Sequence, residues 1–427
     1  MRFLITRRER LDFPDGINIS IFSLAKALRA AGHEVHFLTT SRCDKTKIAD
    51  FFEFHEADAI HSLTDKRSED LSRLDPLFLW IKPARAIIRR LQPDAIILNG
   101  ALPVRLPAPT AAVSHDLERQ GRRVGINLDL ARILYKWLAY RRVDRVVVTC
   151  SELLPALARE LGLNPAAITI IPTCFNTSEY AGRPLPERRN AILHIGTALY
   201  KNPGGAVAAF ARMKNPRTEL LIVGQKNAEL ERLIAGQPPA VGARIHVTGF
   251  LSMAELRGLL GSVRAVIVPS TYAVPVASPS AIEPLLAGTP IVCSSSISRD
   301  VVGEGAGLVV DVGDPGQVGA ALDLLAGDDA AWTRMSAATA GVAERFSATR
   351  VAEKRSATPA VAALMRVHAA SSPASKSSAA PTCPGSPTST TKPAPSPTTS
   401  RLMLEEQTMG VPASSGSMAL GEATGTA

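Results

Sequence analysis

The sequence has no long apolar run, no close cysteine pair and few aromatic residues, and each absence excludes a class of protein. Within its 427 residues no stretch of about 18 apolar residues occurs, so a transmembrane helix is not indicated. The N-terminus has a short apolar stretch at residues 3–5, whereas a signal peptide needs about 7 to 15 apolar residues. We therefore predict a cytoplasmic protein whose chain begins with a β-strand.

The five cysteines, at positions 43, 150, 174, 293 and 383, form no C-x-x-C pair. A disulfide framework and a zinc knuckle are therefore not supported, and a reducing compartment fits best. Aromatic residues make up 5% of the chain, which is few for a surface that stacks bases, and no nucleic-acid recognition motif is present. We predict that the protein does not bind nucleic acid.

The net charge of +9 comes mainly from one region, because residues 82–145 contain 13 Lys/Arg and 5 Asp/Glu. Two interpretations stay open. The region forms solvated helix faces, or it forms a basic face that meets an anionic acceptor or the inner face of a membrane. Apolar residues at 133, 134, 137 and 138 have helical spacing, which is typical of a core helix and also of a helix lying on a membrane.

Short β-branched stretches alternate with helical segments of about 10 to 15 residues, the pattern of βαβ units and a parallel sheet. Strands of the first half are predicted at residues 3–6, 35–39, 95–98, 111–114 and 145–149. Strands of the second half are predicted at residues 191–195, 220–223, 245–248, 265–268, 291–293 and 308–310. The fold class is therefore α/β, with two doubly wound domains.

The domain boundaries follow from composition. A polar segment rich in glycine and proline at residues 173–190 is predicted to link a first domain at 1–172 to a second at 191–350. Residues 351–370 are predicted to form a terminal helix that packs back on the first domain. Residues 371–427 consist mostly of Ser, Thr, Pro, Ala and Gly and are predicted to be a disordered tail. Ligands of open α/β sheets bind at the carboxyl ends of strands, so a site is expected in the cleft between the domains.

Two residues of the first half come where such a site would form. Gly16 precedes the first helix, where backbone N–H groups could approach a phosphate; a simple turn glycine is the alternative. His115 directly follows a predicted strand and is either a site residue or a structural histidine. His194 lies inside a predicted strand, so we interpret it as a core residue.

The second half offers one cation and one carboxylate. Lys201 follows a strand and a glycine turn, and its charge could balance that of a leaving diphosphate; an exposed lysine at a helix start is the alternative. Glu283 could accept hydrogen bonds from a nucleotide ribose while N–H groups of its helix start hold phosphate. Alternatively, Ser280 and Glu283 form a capping box for their own helix. Pro284 is expected within or close to the first turn.

The order and spacing of these segments carry a family resemblance. The segments are residues 14–17, 24–35, 93–97, 114–116, 143–152, 168–172, 196–202, 221–224, 247–250, 268–270, 283–292 and 301–308. Together they resemble the family-4 glycosyltransferases of group 1 type over residues 1–350. Members of this family are retaining enzymes of the GT-B fold, in which two Rossmann-like domains face each other across a cleft.

The resemblance implies a transferase that moves a sugar from a nucleoside diphosphate donor to a glycan or lipid-linked acceptor, without a metal ion or other cofactor. It implies that Lys201 contacts the donor diphosphate, Glu283 the ribose and His115 the transferred sugar. These three are the predicted catalytic residues. The predicted substrate-binding residues are Gly16, Gly196, Thr197, Phe250, Leu251, Ser278 and Ser280, with Gly16 near the phosphate or sugar and Phe250-Leu251 near the base.

Three departures from the family pattern leave other functions open. Pro275 stands where the family often has a second glutamate, the arginine that usually partners the lysine is missing, and Ile17 replaces a common glycine. A non-catalytic protein that binds nucleotide sugars or glycans is therefore an alternative. A nucleotide-sugar epimerase is a further one, and it would need additional acid or base residues in the cleft.

Overall fold

The computed structural model describes residues 1–8, 10–67, 82–100, 102, 104–115, 134–135, 137–303 and 305–347. The terminal helix predicted at 351–370 and the tail predicted at 371–427 lie outside these described residues. Within them, the chain forms two parallel sheets flanked by helices.

The first sheet contains, among the described residues, seven parallel strands in the order β3-β2-β1-β4-β5-β6-β7. They are β1 (Arg2–Arg7), β2 (Glu34–Thr39), β3 (Ile60–Ser62), β4 (Ala95–Asn99), β5 (Thr110–Ser114), β6 (Arg145–Val148) and β7 (Ile168–Ile170). Leu4 and Ile5 of β1 are both fully buried, as expected for a parallel strand that is covered on both faces. We call this sheet with its helices the first lobe.

The second sheet has the order β10-β9-β8-β11-β12-β13. Its strands are β8 (Arg189–Ile195), β9 (Glu219–Val223), β10 (Ile245–Gly249), β11 (Val263–Val268), β12 (Ile291–Ser294) and β13 (Gly307–Val310). In both sheets the strand order reverses beside the first strand, so that β1 borders β4 and β8 borders β11. Ligand crevices open at such reversals. We call this sheet with its helices the second lobe.

The helices of the described ranges connect these strands. They include α1 (Gly16–Ala30), α2 (Lys45–Phe52), α3 (Pro83–Leu91), α4 (Leu153–Leu161), α5 (Pro203–Phe210), α6 (Ala228–Ala235), α7 (Pro239–Gly242), α8 (Met253–Leu260), α9 (Pro279–Leu286), α10 (Arg299–Val302), α11 (Pro315–Gly327) and α12 (Asp329–Phe346). The doubly wound α/β class predicted from the sequence is therefore confirmed.

All eleven predicted strands form, with ends that differ by at most two residues. Strands β3 and β7 were missed, because each has only three residues and offers too short a pattern. His194 is a core residue as predicted, with 1% exposure and a contact between its Nδ1 and the carbonyl of Ile267 at 3.3 Å.

The lobes contact each other through polar groups and a shared apolar core. The carboxylate of Glu152, in the first lobe, accepts hydrogen bonds from Ser298 Oγ at 2.6 Å and from the N–H of Arg299 at 2.8 Å. One buried apolar cluster includes Val148 and Leu157 of the first lobe together with Val276 of the second. These contacts fix the lobes around the space between the two sheets.

The predicted linker runs between β7 and β8. Phe175 is fully buried there, and its N–H donates to the carbonyl of Phe346 at 2.8 Å. Because β8 begins at Arg189, the last two residues of the predicted linker belong to that strand. The start of the segment between the lobes is thus packed and hydrogen-bonded against the end of α12.

Candidate functional site

A cavity of about 260 Å³ lies between the lobes at the carboxyl ends of the strands. The first lobe contributes the last residue of β1, the start of α1 and the residue after β5; the second contributes the segments after β8 and β11. The charged and polar residues among its lining are Arg7, Asp15, His115, Thr173, Tyr200, Lys201, Tyr272 and Ser278. Both strand-order reversals therefore open into one space, as the topology predicts.

The start of α1 lies against the start of α9. Asp15 caps α1 by accepting the N–H of Asn18 at 2.8 Å, and its other carboxylate oxygen contacts Arg7 Nη2 at 3.1 Å. A Cβ atom on Gly16 would lie 3.3 Å from Pro279 Cγ, so glycine permits this close approach. The positive N-terminal ends of two helices from opposite lobes thus come together beside the cavity.

Lys201 is held inside the cavity by hydroxyls and aromatic rings. Its Nζ donates to Ser280 Oγ at 2.9 Å and to Ser278 Oγ at 3.1 Å, and it lies 5.7 and 5.8 Å from the ring centroids of Tyr200 and Tyr272. Burial lowers the pKa of its ammonium group. The alternative of an exposed lysine at a helix start is therefore wrong.

Gly196 makes room for the stem of this lysine. Its φ angle of +97° is in the region that favours glycine, and a Cβ atom there would lie 3.1 Å from Lys201 Cγ. A side chain at position 196 would therefore strain the backbone and push the ammonium group from its place.

His115 is neutral, and its tautomer follows from its neighbours. Asn99 Nδ2 donates to the carbonyl of Thr6 at 3.3 Å, so Asn99 Oδ1 is the acceptor that faces His115 Nε2 at 2.9 Å. Nε2 consequently carries the hydrogen and Nδ1 has the lone pair. Burial, together with the charge of Arg7, lowers the pKa of His115 to about 4. The ring can therefore accept a hydrogen bond at neutral pH.

Glu283 lies in α9 and is 1% exposed. Tyr180 Oη donates to its Oε1 at 2.9 Å. Burial raises the pKa of Glu283 to about 7, although the Tyr180 hydrogen bond and the charges of Arg257 and Lys201 oppose this rise. A buried carboxyl group with a pKa near neutrality is typical of functional sites.

The capping-box alternative for α9 is wrong. The helix begins at Pro279, after Ser278, whose side chain makes no capping hydrogen bond, and Glu283 bonds Tyr180 instead of its own helix start. The capping-box alternative therefore fails. Pro284 is the sixth residue of the helix and so lies close to the first turn, as expected, at the cost of one helical hydrogen bond.

We expect Glu283→Gln to stabilise the ligand-free protein at pH 8, by on the order of 3 kcal/mol more than at pH 5. The wild-type carboxyl group has a pKa of about 7 in the folded protein against an ordinary value of 4.5 in the unfolded chain. The unfolded chain therefore gives up this proton first, and the free energy of unfolding falls as pH rises between the two values. Urea unfolding at both pH values measures the difference. The exposed Glu229, replaced by glutamine, is the control, and an equal effect of Glu283→Gln at both pH values would contradict this assignment.

Four of the predicted site residues line the cavity. Gly16, His115, Lys201 and Ser278 belong to the lining, and Ser280 bonds Lys201 directly. The lining does not include Gly196, Thr197, Phe250, Leu251 or Glu283. A Cβ atom on Gly224 would lie 3.0 Å from Thr197 Cγ2, which shows how closely Thr197 packs against that turn.

Phe250, predicted near the base, contacts the first lobe. Its ring lies edge-on to that of Phe13, with centroids 5.7 Å apart, and the two residues are 48% and 44% exposed. An aromatic pair therefore bridges the lobes just before α1.

Sequence reasoning missed the cavity residues Arg7, Asp15 and Tyr272. Arg7 is the last residue of β1, so the rule that sites form at strand ends could have indicated it. It supplies from the first lobe a second cation of the cavity, where the family's usual arginine partner of the lysine is absent from the second lobe.

Sequence comparison agrees with this two-lobed arrangement. Residues 14–179 match the sequence model of Glycosyltransferase Family 4, and residues 177–341 match that of Glycosyl transferases group 1. The chain belongs to these glycosyltransferases. In this glycosyltransferase the two matches meet within the segment between the lobes, and membership favours an enzyme over a non-catalytic binding protein.

Solved structures share the GT-B fold of this glycosyltransferase. Sucrose-phosphate synthase from Thermosynechococcus elongatus has a TM-score of 0.68 at 18% identity, covering 87% of this chain and 100% of that one. HepE of Anabaena, solved with UDP and glucose, has a TM-score of 0.65 at 16% identity, covering 84% and 99%. WaaG, involved in lipopolysaccharide biosynthesis, has a TM-score of 0.59 at 14% identity, covering 80% and 95%. No curated protein matches the chain in sequence.

The basic region of this glycosyltransferase is described only in part. Leu134 and Trp137 are 56% and 37% exposed, and the guanidinium of Arg141 lies 4.3 Å from the Trp137 ring centroid. Position 133 of the predicted stripe lies outside the described residues. None of the described helices is both long and apolar enough to span a membrane.

Proposed function

We propose that this glycosyltransferase moves a sugar from a nucleoside diphosphate donor to a glycan or lipid-linked acceptor, with retention of anomeric configuration and without a metal ion. The observation that carries the proposal is the convergence of Lys201, two helix N-termini and a neutral His115 on one cavity between the lobes. Its volume of about 260 Å³ is close to the lower end of the range for ligand pockets, about 300 Å³.

Charge balance at the leaving group is the main task of the site. As the bond from the anomeric carbon to the diphosphate oxygen breaks, its electron pair stays with the diphosphate and the sugar becomes oxocarbenium-like. Lys201 and the N–H groups at the start of α9 stabilise the departing charge, and Arg7 adds a second cation from the first lobe. The acceptor hydroxyl bonds the same face of the sugar and gives its proton to the leaving oxygen.

Two further groups orient the donor. Nδ1 of His115 accepts a hydrogen bond from a sugar hydroxyl, so this residue positions the sugar and is no nucleophile. Glu283, when ionised, accepts hydrogen bonds from the ribose hydroxyls. Phe250 and Leu251 lie next to the base in this arrangement, and Gly196 and Thr197 support the lysine turn.

A donor screen tests the proposal. The melting temperature of the protein is measured in the presence of UDP, GDP and ADP sugars. In a separate assay, the nucleotide released from each sugar donor is measured with and without EDTA. HepE, a neighbour in fold, is described in complex with UDP-glucose, which makes UDP sugars the first choice. We expect one donor class to raise the melting temperature, since a ligand at 100 times its Kd contributes about 2.7 kcal/mol. We also expect its turnover to survive EDTA. Stabilisation without any nucleotide release would contradict transfer, and loss of turnover in EDTA would contradict metal independence.

The acceptor side of the proposal rests on Trp137 and Arg141 in the basic region. Exposed Trp137 beside Arg141 is the combination of an amphipathic ring and a cation that suits a membrane surface, so we propose peripheral contact with anionic lipid. The fraction of protein that sediments with vesicles containing anionic lipid should fall when salt is added. Binding that ignores both salt and lipid charge would contradict this contact.

A further inference from the structure

Four charged side chains form a closed ring between the lobes. Lys26 Nζ lies 3.1 Å from Glu53 Oε2 and 3.4 Å from Glu179 Oε1. Arg257 Nη1 lies 2.9 Å from Glu179 Oε2, and Arg257 Nη2 pairs with Glu53. Each cation thus contacts both carboxylates. We call these four residues the charge ring.

The charge ring joins three parts of the chain. Lys26 belongs to α1 and Glu53 caps the end of α2, both in the first lobe, whereas Arg257 belongs to α8 of the second lobe. Glu179 ends the short helix Thr177–Glu179 in the segment between them. Because the side chains of Arg257 and Glu179 are only 11% and 24% exposed, water and salt screen these pairs less than pairs on an open surface.

The conformation of Glu53 supports a specific task for the charge ring. Its φ angle is +52°, in the left-handed region that favours glycine. A glutamate in this conformation costs about 1 kcal/mol or more, and the pairs with Lys26 and Arg257 offset that cost.

Tyr180 connects the charge ring to the donor site. It directly follows Glu179, and its ring centroid lies 6.0 Å from the guanidinium carbon of Arg257. Its hydroxyl donates to Glu283 Oε1 at 2.9 Å. A continuous chain of contacts therefore runs from the helices of the first lobe, through the segment between the lobes, to the carboxyl group buried in α9.

We propose that Tyr180 is a positioning residue for Glu283, and that the charge ring holds Tyr180 in place when the two lobes are together. The inference rests on the proposed function, in which Glu283 receives the ribose hydroxyls. It adds that the carboxylate of Glu283 is positioned by Tyr180, a residue of the segment between the lobes. Donor binding and the approach of the lobes therefore depend on each other.

A pH readout separates positioning from a merely structural role. The groups that act on Glu283 are Tyr180, Arg257 and Lys201, and all three lower its pKa against the effect of burial. Removing the Tyr180 hydroxyl therefore raises the pKa of Glu283 above its value in the wild type. As pH falls from 9 to 7, the carboxylate of Glu283 is protonated at a higher pH in the variant than in the wild type. The affinity of the variant for donor, divided by that of the wild type, therefore falls as pH falls.

The first experiment measures nucleotide binding by calorimetry at pH 7 and pH 9 for Tyr180→Phe, with Tyr140→Phe as the matched control. UDP is the probe, and ADP and GDP are measured in the same way, because the base that this protein prefers is not fixed in advance. We expect Kd to rise about tenfold at pH 7, the effect of losing a hydrogen bond to a charged group, and to rise less at pH 9. The ratio to wild type removes the titration of the nucleotide itself. A ratio of one, or one that is equal at both pH values, would overturn the inference.

The second experiment tests the charge ring at its far side. Glu53→Gln changes a residue of the first lobe that does not contact Glu283, and Glu231→Gln, in an exposed pair with Lys226, is the control. We expect Glu53→Gln to raise Kd about threefold, and the double variant with Arg257→Gln to be little worse than Arg257→Gln alone, because both belong to one network. Unchanged nucleotide affinity in Glu53→Gln would show that the charge ring does not hold Tyr180 in place.

Glu283→Gln separates the two proposals. If it leaves nucleotide affinity unchanged, the ribose role of Glu283 in the proposed function is wrong. If it weakens binding while Tyr180→Phe and Glu53→Gln do not, the proposed function stands and the positioning role alone is wrong. Melting temperatures of all variants show whether each one is folded during the measurement.

Discussion

Replacing Lys201 with alanine should lower kcat/KM for sugar transfer by on the order of 10² to 10³, the usual cost of removing a group that stabilises charge in a transition state. The ammonium group is the cavity's cation on the donor side, held by Ser278 and Ser280. The loss should appear mainly in kcat, because the charge on the diphosphate is greatest as it departs. Steady-state kinetics with the donor found in the screen measures both constants.

The fold should survive this substitution. Burial already disfavours the charged form of Lys201, and the hydroxyls of Ser278 and Ser280 lie 2.9 Å apart and bond each other without it. Lys226→Ala, at an exposed ion pair, is the control and should leave turnover unchanged. Normal transfer by Lys201→Ala would show that this residue has no part in the mechanism. A much lower melting temperature of the variant would show that its role is structural.

Arg188→Met should reduce the free energy of unfolding by about 3 to 5 kcal/mol, because several buried acceptors lose their donor at once. Arg188 is 8% exposed. Its guanidinium donates to the carbonyls of Val263, Ala287 and Arg183 at 2.9, 3.2 and 2.8 Å and to Thr289 Oγ1 at 2.6 Å. It also lies 4.7 Å from the ring centroid of Trp332. It therefore joins β11 to the end of the helix that carries Glu283.

The neighbouring arginine provides a matched control. Arg189 has a side chain that is 52% exposed and contacts Glu219 at 2.6 Å, so Arg189→Met should cost less than about 1 kcal/mol. Urea unfolding of both variants at pH 7 gives the comparison. Equal losses would show that the buried hydrogen bonds of Arg188 do not carry the stability assigned to them.

Local pattern was enough to predict the sheets of this protein. Each central strand is a short β-branched stretch between turn signals, and parallel strands that are buried on both faces need no partner information to be recognised. β3 and β7 lie at the two edges of the first sheet and have three residues each, so they left no readable pattern.

The cavity was predictable in position but not in its contacts. Gly16, His115 and Lys201 follow strands, and the strand order alone brings such positions together. The partner of Glu283 was not predictable, because Tyr180 is 103 residues away and follows a helix of only three residues, which leaves no readable sequence pattern. The same holds for the neutral state of His115, which depends on Asn99 and on burial.

The edge-on contact between Phe13 and Phe250 is one of the contacts that join the two lobes. Such a pair contributes about 1 kcal/mol beyond its buried area, and nearly half of each ring already touches water. Glu152, by contrast, binds the second lobe through a carboxylate with two short hydrogen bonds. Of these two contacts between the lobes, we expect the aromatic pair to separate at the lower cost in free energy.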